Sequence, residues 1–248
     1  MWQSMFSQPS PLRSIFRLFW ALPIAAALTP FPPALAEVQS PVLVSLQFPP
    51  GTGSAPKRTA GAGVRGNCAP GLTAIIPDQT VSLTVNERTT FFVYIPQTDA
   101  LLGKFSLNLS EDGSRNYTED VLLSGKPGMV SFTLPQEIAL AMDDTYDWKF
   151  TLFCDLPGAT AGLGGGEQRV SSVSGQVQRV DLSPTAEAAL AQATTPLAKA
   201  EAYANAGIWH EAMAILSDLR DSQPQQWQEL LTSVGLNAFA QAPFVDQP

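Results

Sequence analysis

His210 is the sole histidine of the chain, so any Ser-His-Asp or Cys-His arrangement has to be built on it. It stands in Trp209-His210-Glu211-Ala212, where apolar residues recur at helical spacing and His210 falls one position off their face. That placement predicts a solvated or capping imidazole. Its partner would have to be a serine, and the sequence has no G-x-S-x-G elbow. Carboxylates are more plentiful: Glu111-Asp112, Glu119-Asp120, and Asp143-Asp144 with Asp147. A glycosidase needs two carboxyls facing each other roughly 5–10 Å apart, whereas neighbours on a hairpin turn alternate sides and face solvent. They read as solvated turn charge. Residues 143–147 are a conceivable calcium loop, although their spacing is not that of an EF-hand. Gly61-Ala-Gly63-Val-Arg-Gly66 fits the dinucleotide pattern GxGxxG, which requires a strand before it and a helix after it. Here a Pro- and Gly-rich stretch precedes it and Asn67-Cys68-Ala69-Pro70-Gly71 follows, so the match is one of chance. The expectation is a chain with no catalytic, cofactor-binding or metal-ligating residues and no cofactor.

Composition narrows the class further. The 248 residues are 45% hydrophobic and 15% charged, which is globular rather than disordered. A net charge of −8 argues against nucleic acid as a partner, because phosphate binding rests on clustered Lys and Arg. Arg13 and Arg17 precede an apolar run over 18–28, and Ala34-Leu35-Ala36 follows as a small-residue cleavage motif. The run is about half of the ~20 residues that span a bilayer, and Pro23 interrupts it. Residues 1–36 therefore read as a cleavable signal peptide, with no integral membrane segment after its removal. In an oxidising compartment the two cysteines, Cys68 and Cys154, pair more often than not. The loop they would close is 86 positions long, worth up to about 4.6 kcal/mol by loop entropy. Two buried free thiols are the alternative.

The elements that would position these residues fall into three stretches. Residues 37–66 are rich in Pro, Gly, Ser and Thr and read as a flexible lead-in, with a short strand conceivable at 42–44 and 46–48. Over 67–182 the pattern has period two. Phe105, Leu107 and Leu109 alternate with Lys104, Ser106 and Asn108, and Trp148, Phe150, Leu152 and Cys154 share one face. Further strands are expected at 79–85, 89–95, 117–123, 130–134 and 171–182, separated by turns such as Gly125-Lys126-Pro127-Gly128. Some eight short strands with no helix between them predict an antiparallel β-sandwich, immunoglobulin-like or jelly-roll-like. Phe91, Phe92 and Tyr94 lie on both faces of one strand, which predicts burial on both sides; an exposed aromatic platform is the other option. From Ser183 to the end the period becomes helical, with Ser183-Pro184 and Thr195-Pro196 as starts and Gly207 and Gly235 as stops. The fold class is thus mainly β with a C-terminal α segment.

Two resemblances arise from these residues. Ala200, Tyr203, Gly207, Trp209, Ala212, Leu216, Leu219 and Pro224 have the spacing of one tetratricopeptide repeat, giving a hairpin over 196–222. More widely, Gly63-Val-Arg-Gly-Asn-Cys68, Leu72-Thr-Ala-Ile-Ile-Pro77, Thr90-Phe-Phe-Val-Tyr-Ile-Pro96, Tyr146-Asp-Trp-Lys-Phe, Cys154-Asp155, Gly175-Gln-Val-Gln-Arg179 and Tyr203-Ala-Asn-Ala-Gly-Ile-Trp209 resemble a cyanobacterial family of exported proteins with a domain of unknown function, number 928. The resemblance implies a periplasm or cell-envelope address and brings no activity and no catalytic residues.

Three functions from different classes follow. The leading expectation is a non-catalytic envelope module for protein–protein interaction or structure, with an envelope protein as partner. A glycan- or small-ligand-binding sandwich is the alternative, and a carboxylate-based hydrolase the second alternative. The helical stripes carry the partner argument, since a tail this small rarely stabilises alone and must lean on its sandwich, a second copy or another protein. Trp209, Tyr203, Leu216 and Trp227 are the expected interface residues, with Trp209 as anchor.

Overall fold

The computed structural model describes residues 46–49, 68–78, 81–108, 116–154 and 169–245. The expected signal peptide over 1–36, the GxGxxG match and Glu111-Asp112 lie outside these residues. Two units are distinguished, Met1–Val42 and Leu43–Pro248, and every described residue belongs to the second.

Among the described residues eight strands come first: β1 (Thr73–Ala74), β2 (Ser82–Thr84), β3 (Thr90–Ile95), β4 (Leu102–Asn108), β5 (Asn116–Leu122), β6 (Gly128–Thr133), β7 (Thr145–Phe153) and β8 (Val170–Arg179). They form a three-stranded sheet, β1-β3-β6, and a five-stranded sheet, β2-β8-β7-β4-β5. The alternating segments place one side chain in two on the core. Phe105 pairs with Phe150 and Leu107 with Trp148 between β4 and β7, all four buried. Across the layers Phe132 stacks on Phe105 and Phe150 at 5.5 and 5.1 Å between centroids, and Phe91 lies 4.9 Å from Phe105. Room for Trp148 comes from its cross-strand neighbour Gly175, where a Cβ would lie 2.4 Å from Ile76 Cδ1 and 3.0 Å from the indole.

One expectation needs correcting at the sheet edge. All other strand pairs are antiparallel, but β2 runs parallel to β8. No hairpin joins these two strands; the chain between them passes through both sheets, and a connection of that length leaves the direction free. Only Ser82–Thr84 of the expected segment 79–85 forms a strand among the described residues. Cys68 and Cys154 are bonded, with Cα atoms 6.1 Å apart, tying the segment before β1 to the end of β7.

The helices follow as α1 (Pro184–Gln192), α2 (Pro196–Asn205), α3 (Trp209–Leu219) and α4 (Pro224–Ser233), then a 3-10 turn at Asn237–Phe239. Their ends obey the sequence signals. Ser183 Oγ accepts from Ala186 N and Thr195 Oγ1 from Ala198 N, each with Pro at the next position. Gly207 and Gly235 close α2 and α4 at φ +75°, a conformation that favours glycine. Among the described residues no helix is long and apolar enough to cross a membrane.

One end of the described chain returns to this helical part and the other to the three-stranded sheet. The expected strand at 46–48 does not form; Leu46 N donates instead to Glu229 Oε2 (3.0 Å) and Phe48 N to Ser233 Oγ (3.2 Å), both on α4. The Phe48 ring stands edge-on to Trp209 at 5.2 Å. At the other end residues 243–245 lie beside β6: Met129 N donates to Pro243 O (2.7 Å) and Val245 N to Met129 O (2.8 Å). Phe239 and Phe244 cover the outer face of β3, 4.8 Å from Tyr94 and 6.2 Å from Phe92.

Candidate functional site

The first turn of α3 is where the residues flagged for chemistry meet. Trp209, His210 and Glu211 follow one another, and all three are buried. Side chains on successive helical positions point about 100° apart, so burying three in a row requires protein on more than one side of the helix. β1 and β3 of one sheet and β2 of the other provide it. Trp209 Nε1 donates to Ile75 O, just past β1, at 3.0 Å.

His210 is the main correction to the sequence reading. It is only 2% exposed, neither solvated nor capping, and its ring lies 5.3 Å from that of Phe91 in the core. Nδ1 lies 2.9 Å from Thr90 O and Nε2 lies 2.9 Å from Ser82 Oγ. A carbonyl oxygen can only accept, so Nδ1 carries the proton and Nε2 is the basic nitrogen. The Ser82 hydroxyl donates to Gln176 O at 2.7 Å, which leaves one hydrogen to serve both that carbonyl and Nε2. Burial drives the imidazole pKa down from 6.5 to about 4, against the opposing pull of the Thr90 carbonyl. The reason for the miss is local. α3 is wedged at the edge of both sheets, so its flank beside the apolar stripe is also inside.

A Ser–His pair with a free imidazole nitrogen is the geometry of an activated nucleophile. Ser82 is 1% exposed, however, and no reacting atom can approach it in this state. In this state the pair joins β2, β3 and α3.

Glu211 sits beside it and reaches the other end of β2. Its Oε1 accepts from Thr84 Oγ1 (2.6 Å), Val85 N (3.2 Å) and Asn86 N (3.2 Å). Those amides stand where the edge strand runs out of strand partners, so the carboxylate finishes the sheet from a helix. Its Oε2 is buried and has no hydrogen-bond partner. Burial raises the carboxyl above its usual range and outweighs these hydrogen bonds, which pull the other way.

The remaining flagged residues lie elsewhere. Leu216 and Trp227 are buried inside the chain, Trp227 Nε1 donating to Ala240 O (2.9 Å), while Tyr203 is half-buried. Burial, then Glu211, raises the Tyr203 hydroxyl pKa. Glu119 and Asp120 lie within β5 rather than on a turn. Glu119 accepts from Tyr117 OH at 2.8 Å, and Asp120 pairs with Lys104 at 3.3 Å. Asp147 accepts from Gln176 Nε2 at 3.0 Å, and Asp143 turns the chain at φ 64°. Among the described residues no three His, Cys, Asp or Glu gather as a metal site. Phe91 and Phe92 are buried, so the strand that carries them is covered on both faces.

Sequence reasoning missed Ser82, Thr84 and Glu211. The available signal was an inversion in β2: Ser82 and Thr84 face inward while Leu83 is only half-buried. Polar residues at period two imply a buried polar face only when a polar partner is known, and that partner lies more than 120 positions away.

These observations define a class: a β-sandwich whose edge is completed by a helical module through a buried polar joint. Over residues 60–244, a span that includes both sheets and all four helices, the chain matches the family described as Domain of Unknown Function (DUF928), and it belongs to that family. No curated protein and no solved structure was found to match it.

Proposed function

We propose that this chain is an exported protein of the cyanobacterial cell envelope that acts as a non-catalytic interaction or structural module. The observation that carries this reading is the joint at α3. The one histidine, the serine beside it and the buried glutamate all hold helix to sandwich, so the groups suited to catalysis serve as fasteners. The Cys68–Cys154 bond fits an oxidising compartment. A glycan platform at Phe92 and Tyr94 is disfavoured, because Phe244 and Phe239 lie on that face. The tetratricopeptide-like spacing of α2 and α3 supports an interaction role and is part of the same proposal. Fractionation of the source cell with N-terminal sequencing tests the address: the protein is expected in the envelope fraction, starting at Glu37 after cleavage behind Ala36. A full-length cytoplasmic form would refute export. For the non-catalytic role, His210→Gln and Ser82→Ala should alter stability while the cell-envelope phenotype of a null strain is still complemented. Loss of complementation by a folded Ser82→Ala protein would reopen the catalytic reading.

A further inference from the structure

The outer edge of β6 has the parts of a peptide-binding site, and the chain fills it with its own tail. Strand addition needs an edge whose amides and carbonyls point outward, room for a second backbone, and a pocket for a side chain of the incoming strand. Met129 supplies the first, donating to Pro243 O at 2.7 Å and accepting from Val245 N at 2.8 Å, with Phe244 in parallel register between them. By the alternation of an antiparallel ladder, Ser131 turns its N–H and C=O toward the same edge. Gly128 supplies the room: a Cβ there would lie 2.6 Å from Pro243 O and 2.7 Å from Val245 Cγ2. The pocket receives the Phe244 ring, 6.2 Å from Phe92 and 6.1 Å from Trp227, with the Arg220 guanidinium 4.5 Å from its centroid. A cavity of about 530 Å³ remains beside the ring, bordered by Arg220, Asp221, Pro224 and Trp227.

We propose that this edge is an acceptor site for an extended segment of a partner protein that presents a large aromatic side chain, and that residues 243–245 are a plug holding the site in the unbound state. The register of the plug states the chemistry of the occupant: a parallel strand with a ring at the Phe244 position, facing Arg220 and the edge-on or tilted rings of Phe92 and Trp227. The open groove beside Phe244 leaves room for a larger ring, an indole. Two backbone hydrogen bonds, the Phe244 ring and the half-buried Val245 hold the plug, so a longer strand with a better-filling ring can displace it. The site deepens the interaction-module reading by naming a surface. Peptide binding in solution is independent of export, so either idea can fail alone.

The test uses the full chain and a fluorescein-labelled peptide, Ala-Gln-Ala-Pro-Phe-Val-Asp-Gln-Pro, copied from residues 240–248. Phe244→Ala protein, with its plug loosened, is expected to bind it at least about tenfold tighter than wild type does. A peptide with Trp in place of Phe should bind tighter still, and one with Ala should lose about tenfold. Phe244→Ala combined with Gly128→Val should not bind, because the added side chain occupies the path of the strand. Equal binding to all these proteins, or none to Phe244→Ala, overturns the site. In case those variants fail to fold, wild type is measured by amide hydrogen exchange. Excess Trp peptide should speed exchange at Val245 and slow it at Ser131, and unchanged rates at both overturn the proposal. A concentration-dependent dimer of wild type that disappears in Phe244→Ala would assign the groove to the tail of a second copy and overturn the partner assignment.

Discussion

The two sheets of the sandwich live under different conditions. In the five-stranded sheet β4 and β7 alternate, with Phe105, Leu107, Trp148 and Phe150 inside and Ser106, Lys149 and their neighbours toward solvent. In the three-stranded sheet β3 carries Phe91 and Phe92 side by side, and both are buried. β4 and β7 of the five-stranded sheet are finished by their own pattern. The three-stranded one acquires its second apolar face only because the helical module, the 3-10 turn and the tail lie over it. Wherever a strand pattern is apolar on both faces, some other part of the chain has to supply the missing layer.

The sharpest way to break that contrast is to remove the cover. Trp209→Ala is expected to destabilise the protein by about 3–5 kcal/mol, through the cavity left beside Phe48 and the loss of the hydrogen bond to Ile75 O. Urea unfolding measures it. A cost below about 1 kcal/mol would mean that the helices sit on the sheet without supporting it. Phe92→Ala attacks the same layer from the sheet side and should cost about 3 kcal/mol or more, against almost nothing if that face were open to water.

Acid probes the joint between the layers. Folded His210 titrates near 4 and an unfolded one near 6.5, so between those values the unfolded chain binds the extra proton. The stability this histidine lends is complete above pH 6.5 and falls as pH drops toward 4, by about 3 kcal/mol in all. Glu211 acts in the opposite sense. Its folded pKa is raised, so acid favours the folded state as pH falls through that value toward the unfolded one. His210→Gln should therefore flatten or reverse the acid limb of a stability–pH curve measured by urea unfolding from pH 7 to 4. An unchanged limb would place the acid-sensitive group elsewhere. The smallest effect belongs to the open face of the five-stranded sheet. Lys149→Ala, on a solvent-facing side chain of β7, should change stability by no more than about 0.5 kcal/mol. A larger loss would show that this face also has a cover.

The same contrast explains how far the sequence could be read. Period-two alternation located β4 and β7 because each has one wet face, and the Pro and Gly punctuation located the starts of α1, α2 and α4 and, to within two residues, the ends of α2 and α4. His210 was misplaced because a helical stripe marks the most apolar flank and says nothing of a second buried one. The parallel direction of β2 was out of reach for a related reason. Three residues with the polar ones turned inward carry no record of a neighbour in β8, still less of a helix that arrives after it. The tail strand at 243–245 is a pairing of backbone, in which only Gly128 hints at the approach of another chain segment.

The reach of the joint has a consequence in time. Ile75 waits for Trp209 across 134 positions, Ser82 for His210 across 128, and Leu46 for Glu229 across 183. Contacts this distant close large loops before they return any stabilisation, which makes folding slow. A ribosome would deliver β1 to β8 with Phe92 still bare, since Phe244, which covers it, comes later in the chain. The segment 237–245 is thus made after the strands it covers, and its arrival closes the outer face of β3.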